Sequence, residues 1–459
     1  MRTLDQILTK KDYSRKTPAS LFYKDSPLWK KLLTIGCVFF LAGAGLGEWK
    51  VLNGMLGGLP KAISLGVIGL AMLYTLFYPD EKRLRELWKP TLLYMSLMVA
   101  LFFWSMVIWI KSFATVSSMI RSCSKLVFQS IAILTAVALV YLFREKAIEL
   151  FTISICIANT AIMLLSIPGY GFAASIQSLV TCLITFGDAD GYALQLEIHD
   201  LTFVFGQMIL YYAVFAPRTT RQEKRKRWLY LLLCCWFFLV GMKRSAIPAV
   251  LLFILIALLL RKRKVPSWLY PTVGVCCILF FLAFLYGVRN GIISRLLNSV
   301  GVDMMGRDYL WSMANPYYEF SVTYLGHGFE YVDTIIGQWY SAGLINHPYP
   351  FHNDILKVFV EVGFPGFLLW SGIQYVLTPL FWQRYADQET TLLYLCELGY
   401  MTVTYLTDNT AFYFWSTMAL RLVTFAYAME RKKPPEPKVW MPDSRQEMRD
   451  RIRILMKEV

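Results

Sequence analysis

The chain has 459 residues, 56% of them hydrophobic and 17% charged, with a mean hydropathy of +0.47. That is too little polar surface to cover a water-soluble body, so a soluble enzyme is excluded first. The formal net charge of +15 would suit nucleic acid or acidic lipid, and its distribution decides between those readings and a topological one.

Residues 1–31 carry eight Lys and Arg ahead of the first apolar run and offer no small-residue cleavage site, which reads as a basic cytoplasmic tail. Apolar runs of roughly 20 residues, the length that crosses a bilayer core, then recur almost to Lys432. About twelve helices are expected, centred near Phe39, Val67, Val99, Leu134, Cys156, Phe205, Cys235, Leu252, Cys277, Trp370, Gly399 and Thr417. The weakest of these signals lie between Phe113 and Phe143, while Gly171 to Phe186 suits a re-entrant or interfacial piece. The expected organisation is a tail (residues 1–31), nine transmembrane helices (32–288), a large extracytoplasmic loop (289–353), a motif helix with the last three spans (354–430) and a second basic tail (431–459). The fold class is all-α integral membrane. The nine cysteines lie mostly in apolar runs without metal-ligand spacing, which implies neither a metal nor a disulfide framework.

With both termini inside, 34 of the 46 Lys and Arg fall on the cytoplasmic side and 11 on the other. This is the bias of a multi-pass membrane protein, and it accounts for the excess charge without a nucleic-acid partner. The outer cations then become exceptions: Lys50, Lys61, Lys111, Arg121, Lys125, Lys243, Arg244, Arg289, Arg295, Arg307 and Lys357. All four histidines, His199, His327, His347 and His352, share that side. The loop that holds most of them far exceeds the roughly 12 to 15 residues beyond which a loop is functional or disordered, and its aromatic content argues for order.

Four stretches carry the chemistry. The turn Gly241-Met242-Lys243-Arg244-Ser245 places two cations at the start of a helix, an anion site in outline. Gly306-Arg307-Asp308 opens an amphipathic segment through Trp311. Gly326-His327-Gly328-Phe329 gives an imidazole in a flexible turn. In His352-Asn353-Asp354 through Gly366, Asn353 or Asp354 sits near a helix N-cap and Asp354, Lys357 and Glu361 share one stripe. Such a stripe must face protein or water, and Glu361 pairing with Lys357 would hold it in place. Gly363, Pro365 and Gly366 break the helix after it. Asp188-Ala189-Asp190 resembles a metal-holding acidic pair, but a solvated turn explains it better. Glu397 and Arg421, near midspan on the last two helices, fit a buried pair or a lipid-facing anchor.

Taken in order, Lys243-Arg244-Ser245, Gly306-Arg307 with Trp311, Gly326 to Phe329, and His352-Asn353 with Leu356, Glu361, Gly363 and Gly366 resemble the bacterial O-antigen ligase and O-antigen polymerase superfamily. The resemblance implies a C-type glycosyltransferase-like fold with a large outer loop. It also implies transfer of a glycan from undecaprenyl pyrophosphate to an acceptor hydroxyl, with inversion and with no metal, cofactor or nucleotide sugar. The residue types suit that chemistry. Guanidinium groups stabilise a departing diphosphate, which selects Arg244 and Arg307, and a neutral imidazole accepts the acceptor's proton, which selects His352. Glu361, Lys243, Asn353, Lys357, His327, His347, Arg289 and Arg295 are the supporting candidates. Expected partners are the lipid-linked oligosaccharide, an acceptor glycan, membrane lipids and a chain-length regulator. A polymerase is favoured over a ligase. A flippase would show internal repeats and broken helices at the midplane, which the sequence lacks, and a noncatalytic assembly protein would not need the ordered polar motifs.

Overall fold

The computed structural model describes residues 27–112, 115–144, 146–185, 190–301, 304 and 306–431. Nearly all of both tails, and with them the helical spacing noted at Met448 to Met456, lie outside the described residues, as does Asp188. The described chain is all-helical, without strands. Every expected span centre falls inside a helix. In order these are α1 (Leu28–Leu46), the short α2 (Lys50–Leu56), α3 (Leu59–Phe77), α4 (Glu81–Ser112), α5 (Val116–Phe143), α6 (Lys146–Tyr170), α7 (Phe172–Thr185), α8 (Gly191–Leu196) and α9 (His199–Leu210). Then come α10 (Arg221–Val240), α11 (Ala246–Leu260), α12 (Leu269–Arg289), α13 (Ile292–Ser299), α14 (Arg307–Ala314), α15 (Tyr331–Ser341), α16 (Asp354–Gly372), α17 (Thr378–Tyr385), α18 (Gln388–Thr407) and α19 (Phe414–Arg431).

Among the described residues, seven helical segments are long and apolar enough to cross a membrane: α1, α3, α4, α5, α6, α12 and the continuous stretch Asp354–Tyr385. The others are shorter or more polar. α11 has 15 residues, yet its exposed Leu251, Leu252, Leu255, Leu258 and Leu259 form one face while Ala249, Val250 and Ala257 are buried on the other, the pattern of a helix between lipid and protein. The region from Phe113 to Phe143, weakest in sequence, is one 28-residue helix from Val116 and among the most buried in the bundle. Its polar residues are satisfied by protein: Gln129 donates to the Phe412 carbonyl at 2.5 Å and accepts from the Thr417 hydroxyl at 2.6 Å. α7, at 14 residues, is about 21 Å long, too short to span.

Loops that the charge bias assigns to one side meet one another. Arg144 pairs with Asp80 at 3.2 Å, Lys226 with Glu149 at 2.7 Å, and Arg261 with Glu389 at 2.5 Å, with Arg431 against the same Glu389 at 2.8 Å. The start of α10 is rich in cations that oppose its dipole; a Thr220–Glu223 capping box offsets them, and Arg227 turns back onto the Tyr212 and Ala213 carbonyls at 2.5 and 2.7 Å. Those carbonyls belong to the π-helical turn, Tyr211–Phe215, that ends α9.

The long loop is ordered around α13, α14 and α15, and it docks on a kink in α16. The expected helix break is narrower than Gly363, Pro365 and Gly366 suggest: hydrogen bonding runs on to Gly372 and only Gly363 leaves helical geometry, at φ 65°. There α16 accepts two bonds from the glycine-rich turn, His327 N–H and Gly328 N–H to the Glu361 carbonyl at 3.0 and 2.7 Å, and Phe364 N–H donates to Tyr324 at 2.8 Å. A Cβ on Gly363 would lie 2.2 Å from the Leu325 carbonyl carbon, and one on Gly326 2.4 Å from the Glu361 oxygen. Gly363→Ala therefore combines a left-handed backbone with a backbone clash, and thermal unfolding of the purified protein in detergent should show a loss above about 1–3 kcal/mol. An unchanged midpoint would mean the two segments separate freely.

Candidate functional site

The site is assembled on Asn353, the N-cap of α16. Its side-chain oxygen accepts from Leu356 N–H at 3.0 Å, and the residue is fully buried. His352, just before it, has φ 52°, a left-handed conformation uncommon outside glycine. The backbone is held there because His352 N–H donates to the Asn409 side chain at 2.9 Å, while Asp354, buried, accepts from Ala411 N–H at 2.7 Å. The corner between α18 and α19 thus grips the start of α16 from both sides. The same corner is pinned to α9, where Asp200 accepts from Trp415 N–H, Ser416 N–H and the Ser416 hydroxyl at 2.8 to 2.9 Å, satisfying the free amides that open α19.

Asp408, at the end of α18, is the carboxylate that faces His352. Its Oδ1 lies 3.4 Å from the imidazole Nδ1, too long for a strong hydrogen bond, and Nδ1 makes no closer one. On its other side Oδ2 lies 3.8 Å from the Lys243 ammonium, which also meets Glu197 at 2.8 Å. Burial alone would raise the Asp408 carboxyl, but His352, Lys243 and His199 outweigh it and hold the group below its ordinary 3.8. Its charge is therefore constant above that ordinary value, and any stability it supplies is lost only as pH falls below it. Asp408 had no cue in the sequence, because it stands far from His352, Arg307 and Lys243 in the chain.

The imidazole of His352 lines a cavity of about 470 Å³ together with Arg307, Tyr309, Asn346 and Tyr349. Arg307 is brought there by Gly306, whose φ of 77° starts α14, and by Trp311, whose indole N–H donates to the Phe351 carbonyl at 3.2 Å. Among the described residues, no carboxylate lines this cavity. The turn at Lys243 to Ser245 joins the cluster from the far side: Thr407 donates to Ser245 at 3.3 Å, and Arg244 is exposed beside it. A larger cavity, about 970 Å³, sits on the first turns of α4 with Tyr385 and shares no residue with this cluster.

The other candidates separate from the cavity. Glu361 is fully buried and accepts from Val332 N–H at 3.2 Å; its partner is Lys357, at 4.0 Å, rather than the imidazole. Lys357 reaches Asp333 at 2.8 Å and Glu330 at 3.5 Å, and Lys125 joins Glu330 at 2.9 Å. Burial alone would raise Asp333, but Lys357 and Lys125 hold it low. This network ties α15 to α16 and α5. His327 is stacked on Tyr331 at 4.2 Å, with Nε2 against the Tyr317 carbonyl at 2.6 Å; burial lowers its pKa. Arg289 donates to the Tyr318 carbonyl at 2.5 Å and lies over that ring, closing the loop onto α12. His347 and Arg295 are exposed. Asp190 is exposed at the start of α8, and no group of three or more His, Cys, Asp or Glu among the described residues is arranged to hold a metal. Glu397 and Arg421 are both buried, not lipid-facing, with Arg421 over the Tyr94 ring at 4.7 Å.

Lys357→Met would strand Glu361 in the interior and leave Glu330 with Lys125 alone, and a loss of about 3–5 kcal/mol is expected in thermal unfolding. Pairing it with Glu361→Gln should recover part of that loss; equal midpoints for both variants would remove Glu361 from the network.

Residues 229–371, which span the Lys243 turn, the loop and most of α16, match the model of a family described as O-antigen ligase. No curated protein matches the chain. Its apolar helices mark an integral membrane protein, and residues 229–371 are similar to the O-antigen ligase family, in line with the resemblance carried by the sequence motifs.

Proposed function

We propose that the protein transfers a glycan from undecaprenyl pyrophosphate to an acceptor sugar hydroxyl on the outer face of a bacterial cytoplasmic membrane, polymerising a surface polysaccharide. In this reading the helices form about twelve spans, including the shorter or more polar α9, α10, α11, α18 and α19, with both termini cytoplasmic and a C-type glycosyltransferase architecture. The observation that carries the proposal is that Arg307 and His352, far apart in the chain, line one cavity.

The chemistry follows from that pairing. As the anomeric carbon–oxygen bond breaks, both bonding electrons stay on the diphosphate, and Arg307, with Arg244 at the neighbouring turn, receives that charge. The acceptor hydroxyl attacks from the opposite face, with inversion, and its proton passes to the imidazole of His352. Asp408 acts as a positioning residue: a carboxylate opposite Nδ1 favours the tautomer that leaves Nε2 as the base and stabilises the imidazolium that forms. Lys243 keeps Asp408 charged, and Asn353 fixes the helix start beneath His352. The cations supply the leaving-group stabilisation, so transfer runs without a metal. A ligase delivering the finished glycan to lipid A core, a wall polymer or a protein would use the same groups, and the acceptor decides between the two.

Purified protein given a lipid-linked oligosaccharide and a chelator should release undecaprenyl pyrophosphate. His352→Ala and Arg307→Ala should abolish release while leaving membrane insertion intact; wild-type turnover in either removes that residue from the mechanism. Asp408→Asn should slow transfer about 100-fold. Because Asp408 stays ionised above its ordinary value of 3.8, an activity loss between pH 8 and pH 5 should persist in Asp408→Asn. Its disappearance there would assign that titration to the carboxylate.

A further inference from the structure

A second cavity, of about 450 Å³, opens at the same end of the bundle, between the α1–α2 turn, α5, the start of α9 and the corner leading into α19. The two linings share no described residue, and a chain of ion pairs connects them. Glu197 lines it, and Glu197 also takes Lys243, whose other neighbour is Asp408 opposite His352. Pro350, two residues before His352, forms part of its rim.

Its lining differs in kind. Among the described residues the first cavity holds a guanidinium and no acid, whereas here Lys50, Lys61 and Lys125 stand against Glu48, Glu197 and Asp200. These charges are largely engaged: Lys50 with Glu197 at 4.0 Å, Lys125 with Glu330 at 2.9 Å, and Asp200 with the α19 amides. The Lys61 ammonium lies over the rings of Phe128 and Phe414, at 5.6 and 5.9 Å. Three acids facing three cations weaken the attraction for a diphosphate. Phe128, Phe412, Tyr413 and Phe414 among many polar groups instead suit a molecule with apolar C–H faces and many hydroxyls, and the volume lies within the usual range for ligand sites.

We propose that this cavity is the acceptor subsite and that it takes an uncharged oligosaccharide, with Asn53, Lys61, Phe128 and Phe414 forming the binding surface. The assignment rests on the transferase reading above and divides the two substrates: diphosphate beside Arg307, acceptor sugar on the α2 and α5 side, with His352 and Asp408 between them.

The test measures binding without turnover. The probe is the oligosaccharide released by mild acid from the lipid-linked glycan pool of cells that make this protein, titrated against the full chain in nanodiscs. Asn53→Trp, at an exposed position on the rim, should weaken binding by at least about tenfold, as should Phe128→Ala. Arg307→Ala and added inorganic pyrophosphate should leave it unchanged. Full-strength binding in Asn53→Trp, or competition by pyrophosphate, overturns the subsite, as does binding lost when acidic groups on the probe are reduced. Failure of the transferase reading would instead appear as wild-type protein that binds the saccharide but releases no undecaprenyl pyrophosphate.

Discussion

The site depends on one constraint: the start of α16 must be held where a helix would ordinarily fray. Four free amides open that helix, His352 before it sits in a left-handed conformation, and the backbone around it is satisfied by Asn353 from within and by Asn409 and Asp354 across the corner. In a mostly apolar bundle an unsatisfied polar group is costly, so each of these bonds fixes position as well as energy. The imidazole is therefore presented by a rigid junction of three helices rather than by a loose loop.

A second set of charges performs a different task further along the same helix. Lys357, Glu361, Glu330, Asp333 and Lys125 bind α15 and α16 to α5 and contribute no side chain to either cavity beyond Lys125 at the edge of the second. The glycines at 326 and 363 serve the same docking, because two backbones meet there with no room for a side chain. The polar stripe of α16 thus splits between an end that holds the α18–α19 corner and a middle that binds α15, a division that no spacing rule along one helix could draw.

Acidic residues also divide this end of the bundle. Among the described residues none lines the cavity at Arg307, whereas Glu48, Glu197 and Asp200 face the lysines around Lys61. The same residue types thereby form two environments a short way apart, with Lys243 and Asp408 between them.

The amino-acid sequence by itself determined the membrane class, the helix centres and the grouping of cations and histidines at one end, since hydropathy and Lys/Arg bias are local or additive properties. It also supplied the Asn353 cap and the Lys357–Glu361 pair, both set by spacing within one helix turn or two. Tertiary structure alone decided that Asp408 rather than Glu361 faces His352, and that His327 and Arg289 hold the loop in place. It likewise set Arg307 and His352 on one cavity and formed a second at the same end. Those relations join residues from distant helices, and which side chains meet across a bundle depends on helix rotation and packing, which the pattern along any single helix does not encode.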